Sequence, residues 1–456
     1  MADSVDLEKF RRAAAAGHPV AQFNLGLWHL RQAPPGSVPA EARELLLAAA
    51  KQDFVPAQTL LGKLLFKLDG AEQRPRHARH WFERAAAAGD AEAQYRLGEV
   101  ATAGLAGEQD SALGVGWLEQ SARQGHTQAR VQLAYCLEHG IGRAADAAAA
   151  TALYLAAARS GDARAQSCVG RRYAEGRTLP RDPAKTLAWQ MKAAAQDYPG
   201  AALEVARTMA AADETVRREA ARMAAGDIPA DKPVAAAPHA PREPETLSEA
   251  PLVQVCAGFL TPEECDHLVA LARPFLAPSK VITNSGQMER RLHERTSEEM
   301  AVQEQIKDVV VWNVEQRLAD FACLPVEHGE PLMILHYGRG DEYRPHVDYF
   351  DPRIQSNAVQ LARAGQRIVT VLTYLSDVED GGATSFPKIG LRVKAEKGKA
   401  LLFRNSRADG EVEPLTQHAG EPVLAGEKWL ATRWIREWDW RRPKPGETKK
   451  PDPASP

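Results

Sequence analysis

Two histidines and one aspartate carry the clearest chemical signal in the chain. His346 and Asp348 are separated by one residue, and His418 follows seventy-two residues after His346. Two imidazoles and one carboxylate are the ligand set that holds non-haem Fe(II) while leaving coordination positions open for substrate and O₂. Residues 343–350 read as a strand, and side chains two positions apart on a strand point to one face. The spacing therefore predicts that His346 and Asp348 bind one metal ion together with His418.

Length and composition limit the classes of protein that the chain can be. At about 150 residues per domain, its 456 residues suggest two or three domains. A hydrophobic content of 44% and a net charge of −3 are ordinary for a globular protein, and no basic excess indicates nucleic-acid binding. No signal-peptide pattern opens the chain, and no apolar run approaches the ~20 residues that span a bilayer. We expect a cytoplasmic protein without nucleic-acid or membrane partners.

Cysteine usage agrees with that expectation. The five cysteines are scattered, odd in number and without C-x-x-C spacing. This pattern favours reduced thiols over disulfides or a zinc site.

The first half of the chain repeats with a period of thirty-six residues. Two alanine registers, one Leu/Val register and one Trp/Leu register keep this period in phase. Their members are Ala21, Ala57, Ala93, Ala129, Ala165 and Ala201; Leu25, Leu61, Leu97, Leu133, Val169 and Val205; Ala14, Ala50, Ala86, Ala122, Ala158 and Ala194; and Leu45, Trp81, Trp117, Leu153 and Trp189. Each unit reads as two helices with glycine C-caps between units. Because one such unit cannot bury its apolar face alone, the units are predicted to stack into a solenoid.

The composition changes after the repeats, and the second half reads as two helices followed by many short strands. Strands are predicted at 253–259, 332–337, 343–350, 368–375, 398–403 and 429–436, with helices from Thr261 to about Leu276 and over 306–322. The fold class is therefore multidomain, an all-α helical-repeat solenoid followed by an α+β domain with a double-stranded β-helix (jelly-roll) core. The predicted boundaries are 1–210 for the repeats, 211–249 for a helix end and Pro/Ala-rich linker, 250–440 for the second domain and 441–456 for a disordered tail.

The repeats resemble the Sel-like repeat, a relative of the tetratricopeptide repeat. Residues 89–98 (Gly-Asp-Ala-Glu-Ala-Gln-Tyr-Arg-Leu-Gly) and 81–86 (Trp-Phe-Glu-Arg-Ala-Ala) carry the resemblance, with about six units over residues 6–210. Ala134 stands where the family usually has Gly, and the loop after Leu30 is rich in Pro. The resemblance implies a protein-binding scaffold. The alternative is a solenoid that only supports the second domain.

The second domain resembles prolyl 4-hydroxylases, within the 2-oxoglutarate and Fe(II)-dependent dioxygenases. Ordered motifs carry this resemblance at 335–340 (Leu-His-Tyr-Gly-Arg-Gly), 343–350 (Tyr-Arg-Pro-His-Val-Asp-Tyr-Phe), 367–377, 381–387 and 426–435. The resemblance implies Fe(II), 2-oxoglutarate as co-substrate and ascorbate as the reductant that rescues the iron. It also implies O₂ consumption and a protein or peptide substrate.

The resemblance assigns roles to individual residues. The iron ligands are His346, Asp348 and His418; the 2-oxoglutarate contacts are Lys428, Tyr337, Thr373 and Thr432; and the substrate contacts are Tyr343, Arg367 and Trp434. Lys428 lies ten residues after His418, where a buried cation pairs well with a distal carboxylate. The stretch 279–297 resembles a lid over a peptide.

Three functions stay open from the sequence. The first is hydroxylation of a prolyl residue in a protein or peptide that the repeats recruit. The second is the same chemistry on a free amino acid or small metabolite, and the third is a non-catalytic repeat scaffold. The sequence does not choose between 4- and 3-hydroxylation, and it names neither the target nor the oligomeric state.

Overall fold

The chain forms two compact units in a computed structural model. The structure describes residues 2–34, 37–67, 74–104, 110–236, 243–279, 281–282, 288–289, 295–303, 306–407 and 409–439. One unit comprises Met1–Gln196, Glu204–Pro238 and Lys307–Val309, and the other comprises Asp197–Leu203, His239–Ile306 and Val310–Pro456. The predicted tail at 441–456 and much of the predicted lid at 279–297 lie outside the described residues.

The first unit is built from helix pairs that follow the sequence period. The helices are α1 (Ala2–Ala15), α2 (Pro19–Gln32), α3 (Ala40–Lys51), α4 (Val55–Lys67), α5 (Arg74–Ala87), α6 (Ala91–Ala103), α7 (Ser111–Arg123), α8 (Thr127–His139), α9 (Ala147–Arg159), α10 (Ala163–Glu175), α11 (Pro183–Ala194), α12 (Ala201–Ala211) and α13 (Glu214–Ala225). The predicted solenoid of two-helix units is confirmed. Within the described part of the chain, no helix is long and apolar enough to cross a membrane.

Caps repeat with the same period and fix where the helices begin and end. Asp110, Asp146 and Asp182 each accept a hydrogen bond from the backbone N–H three residues on, which satisfies a donor that the first turn leaves unpaired. Left-handed glycines close α6, α8 and α10, with φ between 66° and 70°. Only glycine adopts this conformation without steric cost, so the predicted glycine C-caps are confirmed there.

Close approach of α6 and α7 depends on glycine. A Cβ on Gly98 would lie 2.6 Å from the Leu118 side chain, and one on Gly114 would lie 2.9 Å from the backbone nitrogen of Thr102. A Cβ on Gly116, two residues further along α7, would meet nothing within 4 Å. Gly114 is therefore required for packing, whereas Gly116 is not.

The second unit contains sixteen described strands and three helices. They are β1 (Glu245–Glu249), β2 (Leu252–Cys256), α14 (Pro262–Ala272), β3 (Ala277–Pro278), β4 (Val281–Ile282), β5 (Met288–Glu289), β6 (Glu298–Ala301), α15 (Val309–Ala322), β7 (Met333–Tyr337), β8 (Tyr343–His346), α16 (Ala358–Ala364), β9 (Arg367–Tyr374), β10 (Asp380–Gly381), β11 (Thr384–Phe386), β12 (Leu391–Val393), β13 (Ala400–Arg404), β14 (His418–Gly420), β15 (Val423–Ala425) and β16 (Lys428–Arg436). Thr261 caps α14 by accepting a hydrogen bond from the backbone N–H of Glu264, and the carboxylate of Glu264 accepts one from the N–H of Thr261 in return.

Two antiparallel sheets enclose the core of this unit. The larger sheet has the strand order β1-β2-β13-β9-β16-β7-β6-β3, and the smaller has the order β12-β11-β14-β8. Buried side chains from both sheets pack in one apolar cluster, among them Leu335, Leu372 and Phe403 from the larger sheet and Phe386 from the smaller. Two facing antiparallel sheets with a shared core confirm the predicted jelly-roll class.

Two local expectations were wrong. The strand predicted over residues 343–350 ends at His346, and Asp348 lies in a bend. The last five residues of the predicted linker, Glu245–Glu249, form β1 and pair with β2. Turn residues and Pro-rich flanks hid both boundaries, because pairing with a neighbouring strand is decided by tertiary contacts rather than by local composition.

The α6–α7 contact gives a stability prediction. We expect Gly114→Ala to lower the free energy of unfolding by about 1–3 kcal/mol, because the added methyl meets backbone that cannot move aside. Chemical denaturation followed by circular dichroism measures the change.

Gly116→Ala is the matched control on the same helix. Removing glycine flexibility without a clash stabilises a helix by roughly 0.5–1 kcal/mol, so its effect has the opposite sign. Equal destabilisation by both variants would contradict the packing role of Gly114.

Candidate metal and co-substrate site

The two histidines of the predicted triad are opposite each other in the smaller sheet. His418 of β14 pairs with His346 of β8, and their ring centroids are 4.3 Å apart. The register shifts by one residue before Gly420, which pairs with Tyr343. Antiparallel pairing therefore brings together two side chains that are far apart in the sequence.

Backbone carbonyls set the tautomer of both imidazoles. Nδ1 of His346 donates to the carbonyl of Arg344 at 2.8 Å, and Nδ1 of His418 donates to the carbonyl of Thr416 at 3.0 Å. Since Nδ1 carries the proton in each ring, Nε2 keeps a lone pair that can bind a metal.

Asp348 completes the triad. Nε2 of His346 lies 3.8 Å from its Oδ1, and Nε2 of His418 lies 3.7 Å from its Oδ2. One donor atom from each of the three residues falls within 4.8 Å of the others. The bend after β8 thus supplies the carboxylate that the sequence placed on the strand.

Electrostatics favour a neutral imidazole at His346 beside an ionised carboxylate at Asp348. Burial, followed by the neighbouring His418, lowers the pKa of His346 to about 3. Burial opposes ionisation of Asp348, but His418, His346 and Arg367 together outweigh it and lower the pKa of that carboxyl group. Neutral imidazole and carboxylate are the protonation states that ligate a divalent cation.

A cavity opens beside the triad and collects most of the residues predicted from the sequence. On β16 every second residue lines it, because successive strand side chains point to opposite faces. The lining consists of Arg295, Leu335, Tyr337, Tyr343, His346, Asp348, Leu372, Thr384, His418, Gly420, Lys428, Leu430, Thr432 and Trp434.

Lys428 is a buried cation at this cavity. Its side chain is 1% exposed and lies near two aromatic rings, with Nζ 5.4 Å from the ring centroid of Tyr337 and 5.8 Å from that of Tyr374. Burial lowers its pKa to about 8, against a weak opposing effect of Glu421. Within the described ranges, no carboxylate lies within 4.0 Å of Nζ. A buried ammonium without a protein counter-ion fits an anionic ligand in the cavity.

Thr432 and Trp434 each place a buried polar atom at the cavity. Oγ1 of Thr432 and Nε1 of Trp434 are buried, and neither has a hydrogen-bond partner among the residues that the structure describes. Both side chains line the cavity. Buried polar groups are almost always hydrogen-bonded, so these atoms also indicate a bound polar ligand.

Thr373 is one of two predicted site residues that do not line the cavity. Its neighbour Leu372 lines the cavity, and Thr373 points to the opposite face of β9. The structure does not place Thr373 at this cavity, so its contact with 2-oxoglutarate stays an untested prediction. Thr370, which shares the face of Leu372, donates instead to Oδ2 of Asp348 at 2.8 Å.

Arg367 lies behind Trp434 rather than at the cavity wall. Its guanidinium sits 3.9 Å from the Trp434 ring centroid and makes two 2.7 Å hydrogen bonds to Glu330. Trp434 is thereby held in place by a cation–π contact. Direct contact between Arg367 and substrate stays a prediction.

Arg295 is a cavity residue that the sequence placed only within the lid-like stretch 279–297 and not among the named site residues. Its side chain is 6% exposed, its guanidinium lies 4.8 Å from the Tyr343 ring centroid, and its Nε donates to Oγ of Ser297 at 3.0 Å. Tyr343 in turn stacks on His346 with ring centroids 3.5 Å apart. The residues around Arg295 in the sequence are polar and gave no signal of burial, which became visible only in the fold.

The donor set fits the groups that the fold implies. Two imidazoles and one carboxylate on one side of a cavity suit a divalent iron that keeps open positions. Lys428 and the Thr432 hydroxyl, neither of which has an ion-pair or hydrogen-bond partner in the described part of the chain, suit the distal carboxylate of 2-oxoglutarate.

Comparisons with known proteins agree with this chemistry. Residues 332–436 match the 2OG-Fe(II) oxygenase superfamily. Five consecutive units match the Sel1 repeat, at 19–54, 55–90, 91–126, 127–162 and 163–198. The sixth unit expected from the alanine and valine registers lies beyond the last match.

Within the oxygenase superfamily, the chain is similar to plant prolyl 4-hydroxylases. The chain is 36% identical over 216 residues to probable prolyl 4-hydroxylase 3 of Arabidopsis thaliana, covering 43% of this chain and 73% of the relative. It is 43% identical over 208 residues to probable prolyl 4-hydroxylase 6 of the same plant, covering 41% and 70%. Among solved structures, the viral collagen prolyl hydroxylase of Paramecium bursaria Chlorella virus-1 aligns with a TM-score of 0.32 and 26% identity, covering 40% of this chain and 95% of that one. The chain belongs to the prolyl 4-hydroxylase family of 2-oxoglutarate-dependent dioxygenases.

The buried lysine predicts a pH dependence for co-substrate binding. Lys428 is charged below its lowered pKa of about 8 and loses its proton as the pH rises through that value. We expect the Kd for 2-oxoglutarate to increase roughly tenfold between pH 7 and pH 9, because the neutral amine no longer attracts the carboxylate. Calorimetric titration across this range measures the change.

Lys428→Met keeps the length of the side chain and removes the charge. We expect about 10–100-fold weaker binding at pH 7 and a flat response up to pH 9, as the loss of a charge-assisted hydrogen bond implies. Lys394→Met, at an exposed position of the same unit, serves as the control. A variant at Lys428 that binds as tightly as the control would refute the role of the lysine.

Proposed function

We propose that this protein hydroxylates a prolyl residue in a protein or peptide, using Fe(II), 2-oxoglutarate and O₂. The observation that carries the proposal is one cavity lined by a His-Asp-His triad and an unpaired buried lysine. The names of its relatives, prolyl 4-hydroxylases with the same domain, supply the substrate class.

The residues divide the work of the site. His346, Asp348 and His418 would hold the iron, and their backbone ties keep Nε2 of each ring directed at it. Lys428 would bind the distal carboxylate of 2-oxoglutarate, beside the hydroxyl groups of Tyr337 and Thr432. These contacts orient the co-substrate before the reaction begins, so little rearrangement is needed.

Iron and 2-oxoglutarate supply the oxidising chemistry when they are bound. One oxygen atom of O₂ enters the succinate formed as 2-oxoglutarate loses CO₂, and the other enters the C–H bond of the substrate as hydroxyl. The chain contributes orientation and exclusion of side reactions. Ascorbate is the reductant we propose for restoring ferrous iron after turnovers that miss the substrate.

Aromatic walls provide the place for a proline ring. Tyr343 and Trp434 both line the cavity that holds the triad, and each is fixed by an arginine, Arg295 over Tyr343 and Arg367 over Trp434. Rigid aromatic faces bind an apolar ring with little loss of side-chain entropy. We therefore propose that the acceptor proline lies between these two rings.

The repeats are proposed to recruit the target. Stacked helical units form extended binding surfaces, and five Sel1 units precede the oxygenase domain. A separate recruitment surface fits a substrate that is a protein rather than a free amino acid. We propose a cytoplasmic location for this pair of activities.

Hydroxylation is tested by mass spectrometry on a library of Pro-containing peptides with Fe(II), 2-oxoglutarate and ascorbate. We expect a mass gain of one oxygen on proline in the wild type and none in His346→Ala. Turnover of 2-oxoglutarate without oxygen on proline favours a free amino acid or small metabolite as substrate. Failure to bind 2-oxoglutarate at all favours the non-catalytic scaffold.

Recruitment by the repeats predicts a difference between long and short substrates. We expect an intact protein target to show at least a tenfold lower KM than the short peptide around its acceptor proline, with similar kcat, because distant contacts add uniform binding energy. Steady-state kinetics on both substrates with the full-length chain measure this ratio. Equal KM values would assign the repeats a supporting role only.

A further inference from the structure

Two buried polar residues outside the cavity wall, Thr370 and Asn405, are linked by consecutive hydrogen bonds that end at Asp348. Thr370 of β9 donates from Oγ1 to Oδ2 of Asp348 at 2.8 Å, and Nδ2 of Asn405 donates to Oγ1 of Thr370 at 2.8 Å. Both residues have 0% exposure, so water does not compete for these bonds. The sequence assigned no role to either residue.

The donor and acceptor roles in these two hydrogen bonds can be assigned in only one way. An ionised carboxylate has no proton to give, so Thr370 must be the donor to Asp348. A hydroxyl has a single proton, so the second contact of Thr370 must be one that it accepts. Asn405 therefore presents its NH₂ group to Thr370, and this donation keeps the threonine proton directed at Asp348.

The orientation of Asp348 depends more on its hydrogen bond from Thr370 than the orientations of His346 and His418 depend on their bonds to backbone carbonyls. Both histidines sit in paired strands, whereas Asp348 lies in the bend after β8. In the described part of the chain, its Oδ1 accepts no hydrogen bond and its Oδ2 accepts only the one from Thr370. The orientation of the carboxylate is thus set by a side chain from the larger sheet.

We propose that Thr370 is a positioning residue for the metal ligand Asp348 and that Asn405 directs the hydroxyl of Thr370. The bond from Thr370 holds Oδ2 in place, and the carboxylate lies beside two imidazoles that their own hydrogen bonds already orient. The inference rests on the proposed function only in taking Asp348 as a ligand. Partners of metal ligands typically contribute about 10–100-fold in metal affinity.

Mn²⁺ alone, titrated calorimetrically into the full-length protein at constant pH, tests the proposal. We expect Thr370→Val, which keeps the shape and removes the hydroxyl, to weaken Mn²⁺ binding by about 10–100-fold. Thr370→Ser retains the hydroxyl and recovers most of the wild-type affinity. The absorption spectrum of bound Co²⁺ changes in Thr370→Val and stays as in the wild type in Thr370→Ser.

Asn405→Ala provides a second, graded variant. Thr370 can still donate to Asp348 without Asn405, but its hydroxyl is then free to rotate. We expect a loss of Mn²⁺ affinity that is measurable and smaller than that of Thr370→Val. This variant keeps the proposal testable if Thr370→Val does not fold.

Thr373→Val is the matched control. Thr373 lies on the same strand, is equally buried, and its Oγ1 has no hydrogen-bond partner in the described ranges. We expect wild-type Mn²⁺ affinity from it. Equal affinity in Thr370→Val and Thr373→Val, or wild-type affinity in Asn405→Ala, overturns the positioning role. Wild-type affinity in His346→Ala would instead overturn the proposed metal centre, so the two failures are distinguishable.

Discussion

Side-chain alternation along paired strands is the constraint on which the whole site depends. On β16, Lys428, Thr432 and Trp434 share a face because each is an even number of residues from the next. On the adjacent β7, Tyr337 pairs with Lys428 in the register. The smaller sheet faces this surface and contributes the histidine pair. A slip of one residue in any of these pairings would turn the functional side chains away from the cavity.

A site of this kind costs stability, and the surrounding sheet offsets the cost. A fully buried ammonium at Lys428 is expensive in a protein interior, and so are buried polar atoms such as Oγ1 of Thr432 and Nε1 of Trp434, which have no hydrogen-bond partner among the described residues. They lie on the central strands of an eight-stranded sheet, next to a continuous apolar cluster. The sheet holds these groups in place before any ligand arrives. Binding an anionic, chelating ligand then satisfies groups that the fold leaves exposed to the cavity, which makes the site selective for such a ligand.

Much of the architecture follows from patterns of residue type. The thirty-six-residue period defines the helix pairs, and the order of short strands defines the jelly roll. The ligand types of His346, Asp348 and His418 were readable because their chemistry is specific. The sequence could not show that Thr373 lies on the face of β9 away from the cavity, because β-branched residues occur on both faces of a buried strand. The sequence does not reveal the roles of Thr370 and Asn405, since hydrogen bonds between segments far apart along the chain depend on how the strands pair in the sheets.

The register shift in β8 allows two side chains of this short strand, Tyr343 and His346, to line the cavity. Tyr343 and His346 are three residues apart, and an odd separation on a regular strand points two side chains in opposite directions. The irregularity between the pairs His346–His418 and Tyr343–Gly420 inserts one extra residue on β8. Pro345 lies within it, where the absence of an N–H costs no ladder bond. The insertion reverses the parity, so the phenol ring reaches the same side as the imidazole and stacks on it.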